Sequence, residues 1–166
     1  MDMFNEADKY GQSRILPTIK ALFSGCTKIQ IEQHFDDKNP IDIYITATTK
    51  SGKEVWYAIE SKNRKMTHTK YQYDGYIIED KKIKSLLEAH KMGYRPIYLN
   101  SFSDNYIICW DLSKLDFCEC GETGEIEFFK TEVTRGQTGK EKKNKTTLKN
   151  SQAVCITKMV DEKQNS

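Results

Sequence analysis

Ile41-Asp42-Ile43-Tyr44-Ile45-Thr46, the turn Lys50-Ser51-Gly52-Lys53, and Val55-Trp56-Tyr57-Ala58-Ile59-Glu60-Ser61-Lys62 together decide the fold of this 166-residue chain. Read as strands, the first puts Ile41, Ile43 and Ile45 on one face and Asp42, Tyr44 and Thr46 on the other. In the second, Glu60 and Lys62 share a face turned away from Val55, Tyr57 and Ile59. Strand propensity gives no reason for Asp42 among isoleucines, so its presence asks for a chemical one. A turn centred on Ser51 sets Asp42 opposite Glu60, and one centred on Gly52 sets it opposite Lys62; either gathers all three charges on one face. A two-residue turn between Ser51 and Gly52 pairs Asp42 with Ser61 and sends the two acids to opposite faces, because a one-residue slip reverses every side chain. A shared charged face therefore requires an odd loop or a bulge.

Upstream, Phe4, Ala7, Ile15, Ile19 and Leu22 fit one apolar helix face. Pro17 predicts a break between Gly11 and Pro17, with a second helical stretch ending at Ser24-Gly25. Lys28 to Phe35 reads as a strand, followed by the turn signal Asp36-Asp37-Lys38-Asn39-Pro40. Downstream, a polar segment from Asn63 to Asp74 leads to a helix whose buried face holds Ile83, Leu86, Leu87 and His90 and which ends near Gly93. Arg95–Phe102 and Asn105–Leu112 read as two further strands joined at Ser103-Asp104. The second is almost continuously apolar and therefore central. The remainder predicts a C-terminal hairpin, Glu125 to Thr134 with Gln152 to Val160, connected by a basic loop over 135–150.

With 37% hydrophobic and 30% charged residues, the composition is that of a folded single domain. No apolar run approaches the roughly 20 residues that cross a bilayer, which excludes a membrane-spanning helix. The opening Met1-Asp2-Met3-Phe4-Asn5-Glu6 lacks the order of a signal peptide, so the expected compartment is the cytoplasm. The five cysteines, an odd number, are then expected to be free thiols. Cys118-Glu119-Cys120 is the nearest thing to a zinc ligand pair, and no second pair completes it in sequence. The net charge of +2 is unevenly spread: Arg135, Lys140, Lys142, Lys143, Lys145 and Lys149 against Glu141 leave the rest of the chain slightly acidic. Such a segment is either a solvated loop or a phosphate contact.

A carboxylate, any residue, then lysine occurs six times, and five of the six lie in segments read as turn, helix surface, loop or tail. Glu60-Ser61-Lys62 differs because it ends a strand and faces Asp42. Two carboxylates converging on one sheet face repel unless a cation lies between them, and hard oxygen ligands suit Mg²⁺ or Mn²⁺. Such an ion polarises a phosphodiester and helps form hydroxide from water, while Lys62 can orient that water or stabilise charge on the phosphorane. The competing explanation is an exposed Asp-Glu-Lys ion-pair group on a hairpin.

These residues resemble the PD-(D/E)xK, or restriction-endonuclease-like, nucleases. The order of helix, strand, Asn39-Pro40-Ile41-Asp42 strand, Ala58-Ile59-Glu60-Ser61-Lys62 strand, helix and strand is similar to that family's αβββαβ core and covers about residues 4–112. The resemblance implies an α/β fold with a mixed central sheet. It implies Asp42, Glu60 and the Ser61 carbonyl as metal ligands and Lys62 as the catalytic lysine. It further implies a first-helix glutamate at the metal, for which Glu6 and Gln12 are the candidates, since Gly11-Gln12-Ser13-Arg14 holds no acid. The implied activity is Mg²⁺-dependent hydrolysis of DNA, with RNA not excluded, a homodimer left open, and an inactive nucleic-acid-binding protein of the same fold as the alternative. Arg64, Lys65 and Lys70, interleaved with Tyr71, Tyr73 and Tyr76, and the basic Lys142, Lys143 and Lys145 are the candidate nucleic-acid contacts.

Overall fold

The computed structural model describes residues 3–35, 38–70, 74–115, 117–118, 126–127, 129–133 and 141–160, with side chains for residues 6, 9–35, 38–70, 74–115 and 146–160. The chain opens with one helix, α1 (Met3–Leu22), which runs through Pro17 without the expected break. An interior proline costs roughly 3 kcal/mol by removing a hydrogen bond and crowding the preceding turn. Gln12, Ile15, Thr18 and Ile19 form one buried helix face, and the two isoleucines alone recover about 3–6 kcal/mol. Gly11 makes the close approach possible: a Cβ there would lie 2.9 Å from Cβ of Asn63 in the sheet below. Leu22, expected on the apolar face, is exposed, and the side chains of Phe4 and Ala7 lie outside those described.

Three strands follow as an antiparallel meander, β1 (Lys28–Gln33), β2 (Ile43–Thr48) and β3 (Glu54–Arg64). The strand β4 (Gly75–Glu79) then leads directly into helix α2 (Asp80–Lys91), which buries Ile83, Leu86 and Ala89. Strand β5 (Arg95–Phe102) returns parallel to β3, and β6 (Tyr106–Asp111) turns back antiparallel to β5. Beyond it lie the short parallel pair β7 (Phe117–Cys118) and β8 (Ile126–Glu127), then β9 (Phe129–Val133), β10 (Glu141–Lys149) and β11 (Cys155–Lys158).

Among the described residues the main sheet has six strands in the order β1-β2-β3-β5-β6-β11 with one parallel pair, so the fold is α/β with a mixed sheet and two α-helices. Its α1 face is lined by Ile43, Ile45, Ile59, Leu99, Ile107 and Cys109. Its α2 face is built on Ala58, Tyr98, Phe102, Ile108 and Trp110, and takes in Tyr76 and Ile78 from β4 and Leu148 from β10. Ile41 departs from the expected alternation: it precedes β2 and joins the α2-side core while Ile43 and Ile45 face α1.

The expected C-terminal hairpin does not form. Strand β10 pairs with β9 on one side and β4 on the other, and β11 instead adds to the main sheet beside β6. The segment expected to be a basic loop is thus largely a strand. Thr146 and Leu148 are fully buried while Thr147 and Lys149 are exposed, and that alternation gives β10 a face to bury. Strand β4, which lies between the polar segment ending at Asp74 and the expected helix, forms because Tyr76 and Ile78 bury on the same terms. Among the described residues no helix is long and apolar enough to cross a membrane.

Candidate metal-binding and catalytic site

The hairpin between β2 and β3 closes with a three-residue loop, Lys50-Ser51-Gly52. The Thr49 N–H donates to the Lys53 carbonyl (2.8 Å) and the Gly52 N–H to the Thr49 carbonyl (2.9 Å). Gly52 has φ +81°, the left-handed conformation that ends such a loop without a Cβ clash. The loop is odd, so the register is centred on Ser51: Thr48 pairs with Glu54 and Ile43 with Ile59, which brings Asp42 level with Glu60 at the next step.

The ladder stops there, and the Asp42 side chain takes the place of a strand carbonyl. Its Oδ2 accepts the Ser61 N–H at 2.8 Å and the Ser61 hydroxyl at 3.1 Å. The Asp42 carbonyl accepts the His34 N–H at 2.7 Å, and the buried Gln12 donates to the His34 carbonyl at 3.1 Å. Through His34, Gln12 on α1 steadies the chain that carries Asp42. It supplies no carboxylate.

Glu60 is 5% exposed. One of its oxygens, Oε1, is paired with the ammonium of Lys82 from the first turns of α2. The other, Oε2, is buried without a hydrogen-bond partner. Burial is the main reason that the Glu60 carboxyl is pushed up to about 7; the neighbouring Asp42 charge adds to this, and Lys82 and then Lys62 oppose it. Lys82 is raised as well: burial, the largest single effect, would lower it, but Glu60 and then Asp42 hold it above the ordinary lysine value. Lys62 follows two residues along β3 and is exposed on the same face. The parallel pairing of β3 with β5 places the buried Tyr98 beside Glu60 on the far side from Asp42. A cleft of about 430 Å³ is lined by Glu32, His34, Asn39, Tyr44 and Tyr94 among others, and none of Asp42, Glu60 and Lys62 lines it.

Asp42, Glu60 and Lys62 are thus brought together, with Ser61 between them. Glu6 is not brought to them. It is exposed on α1, which packs on the opposite face of the sheet, and among the described residues no group of three His, Cys, Asp or Glu side chains could hold a metal ion. Lys82 was not foreseen, because nothing local in Asp80-Lys81-Lys82 distinguishes the lysine that turns to the sheet from its neighbours.

Of the candidate nucleic-acid contacts, Arg64 is committed internally. It donates through Nε to Asn100 Oδ1 and through Nη2 to the Ile77 carbonyl (2.6 Å), and its guanidinium lies 5.5 Å from the centre of the Tyr76 ring. It ties β3 to β4 and β5. Tyr76 is buried, with its hydroxyl 2.8 Å from His68 Nδ1, so it packs the core. Lys65 and Lys70 are exposed on the segment leaving β3, which is held by hydrogen bonds from His68 and Thr69 to Asp104. Lys142, Lys143 and Lys145 lie on β10, with side chains outside those described; Tyr71, Tyr73 and the Cys118-Glu119-Cys120 side chains also lie outside. Comparison with known proteins finds no matching family model, no matching curated protein and no matching solved structure.

Proposed function

We propose that this chain is a metal-dependent nuclease of the PD-(D/E)xK, restriction-endonuclease-like kind, hydrolysing phosphodiester bonds of DNA. The observation that carries the reading is the orphaned Oε2 of Glu60. A buried carboxylate oxygen without a donor is costly, and it lies next to a second carboxylate at the end of a hairpin. A divalent cation satisfies both acids at once, so the residues present fit Mg²⁺ or Mn²⁺. The succession α1, β1, β2, β3, α2, β5, with β5 parallel to β3, also supports the αβββαβ core, with β4 as an insertion before α2.

Asp42 and Glu60 would hold the ion, with the Ser61 carbonyl as a third protein ligand. When bound, Mg²⁺ supplies positive charge to the scissile phosphate and acidifies coordinated water. The chain's own residues do the rest. Glu60 must lose its proton to serve. Ser61 fixes the Asp42 carboxylate through two hydrogen bonds. Lys62, exposed at the rim, presents an ammonium to a phosphate oxygen or to the attacking water. Lys65 and Lys70 extend the positive edge along which a backbone can lie.

The Lys82–Glu60 pair supports a second reading, a nucleic-acid-binding protein of the same fold without turnover, because an ammonium already neutralises one of the two proposed metal-binding acids. Both are tested by incubating the chain with linear, branched and single-stranded DNA and with RNA in Mg²⁺, Mn²⁺ or EDTA. The nuclease gives cleavage that requires the metal and disappears in Asp42→Ala and Lys62→Ala. Salt-dependent binding without cleavage establishes the second reading, and cleavage that survives both substitutions removes this site from either.

A further inference from the structure

Cys109 on β6 and Cys155 on β11 are direct partners in the antiparallel ladder of the main sheet. Partners in such a ladder have Cα atoms about 4.5–5.5 Å apart and side chains on the same face. That separation falls inside the roughly 4.4–6.8 Å that a disulfide spans without moving the backbone. Both thiols are free, Cys109 buried and Cys155 half-buried on the edge strand, where it packs against the same α1-side core as Cys109. The backbone on both sides is fixed: Val154 donates to the Cys109 carbonyl at 2.8 Å, and Met159 donates to the Asn105 carbonyl.

We propose that Cys155 is a peroxide-reactive cysteine and Cys109 its resolving partner, so that mild oxidation closes a Cys109–Cys155 disulfide across β6 and β11. In the first step the Cys155 thiolate attacks one oxygen of hydrogen peroxide. An S–O bond forms, the O–O bond breaks, and the departing hydroxide takes a proton to become water. In the second step the Cys109 sulfur attacks the Cys155 sulfenic acid. The S–S bond forms, the S–O bond breaks, and the Cys109 proton leaves with the hydroxide as a second water. Two thiols are oxidised and one peroxide is reduced.

The division of roles follows from the surroundings. Cys155 is the accessible sulfur, and the hydrogen bond from the Cys109 thiol holds it down to about 6 against the opposing effect of burial. The same hydrogen bond, then burial, pushes Cys109 up. The lowered value gives Cys155 a larger thiolate population at neutral pH than an ordinary thiol has, at some cost in intrinsic nucleophilicity. Selectivity comes chiefly from a resolving thiol directly opposite in the ladder, which converts sulfenic acid to disulfide before a second oxidation.

The test treats the reduced full-length chain with one equivalent of hydrogen peroxide at pH 7, alkylates the remaining thiols and maps the peptides. The expected product links the peptides of Cys109 and Cys155, disappears on thiol reduction, and melts several degrees higher than the reduced chain. Cys109→Ala should stop at a Cys155 sulfenic acid that dimedone traps, and Cys155→Ser should leave Cys109 reduced. Preferential linkage through Cys26, Cys118 or Cys120, or no linkage at all, overturns the assignment. If Cys109→Ala fails to fold, the Cys155→Ser map decides, since that side chain is only half-buried on an edge strand.

Discussion

Because burial pushes the Glu60 carboxyl up to about 7, the cation binding proposed there would be coupled to loss of a proton. The folded value of about 7 lies above the ordinary 4.5, so the folded chain holds this proton more tightly than the unfolded chain. That contribution to stability is complete below pH 4.5 and is lost as pH rises through 7; it is on the order of 3 kcal/mol at most. Melting curves of the metal-free chain should therefore fall between pH 5 and pH 7.5, and Glu60→Gln should flatten that slope. The same proton would compete with the proposed metal ion. Calorimetric titration with Mg²⁺ should show affinity rising about tenfold per pH unit below 7, with proton release, and levelling above it. A pH-independent affinity would separate Glu60 from the metal site. Lys82 gives the complementary experiment. With Lys82→Met the buried Glu60 charge loses its partner, and at pH 8 the chain should lose about 3 kcal/mol. Because a divalent ion replaces the missing ammonium, Mg²⁺ should raise the melting temperature of Lys82→Met more than that of the parent chain; an equal rise in both would place the ion elsewhere.

At the scale of elements, what could be read from sequence depended on whether an element's burial was local. Strands β2, β3, β5 and β6 carry their alternation or apolar runs openly; Asp42 stood out as an acid that strand propensity does not explain, and Glu60 because it ends a strand on the face of Asp42. Helix α1 was misread because proline rules are local while the burial of Ile15 and Ile19 on the sheet is not. Strand β10 was misread for the same reason: Lys142, Lys143 and Lys145 dominate its composition, whereas Thr146 and Leu148 decide its structure. Lys82 reaches Glu60 only once α2 is docked, so no spacing rule could find it. The junction of β10 with α2 is testable on its own. The Thr146 hydroxyl donates to Asp80 Oδ1 at 2.7 Å, both residues are buried, and Asp80 opens α2. Burial pushes the Asp80 carboxyl up and the Thr146 hydrogen bond holds it down. Thr146→Val should cost about 1.5–3 kcal/mol, seen as a melting temperature lower by roughly 5–10 °C, while Thr147→Val on the exposed face should stay within about 0.5 kcal/mol. Equal effects at the two positions would mean that the hydrogen bond is not made.

At the scale of the molecule, the segment after Leu115 completes the fold instead of extending it. Leu148 is fully buried in the α2-side core beside Trp110, whose indole N–H donates to the Lys149 carbonyl at 2.8 Å. Asn150 donates to the Asp74 carbonyl, and Val160 donates to the Thr18 hydroxyl on α1 at 2.9 Å. A chain ending at Leu115 still contains every residue of the Asp42, Glu60, Lys62 and Lys82 cluster. It would nevertheless leave β4 unpaired, the Trp110 N–H buried without an acceptor, and β6 as an open apolar edge, the kind of edge that recruits other chains. Losing the burial of Leu148 alone costs about 2–5 kcal/mol, and an unsatisfied indole adds about 1–3 kcal/mol, against a total stability of roughly 5–15 kcal/mol. The 1–115 fragment is therefore expected to show no cooperative thermal transition by circular dichroism and to bind Mg²⁺ more weakly than the full chain, although its carboxylates are unchanged. A cooperative melt near that of the full chain would mean that α1, α2 and the first five strands of the main sheet hold the site without β10 and β11.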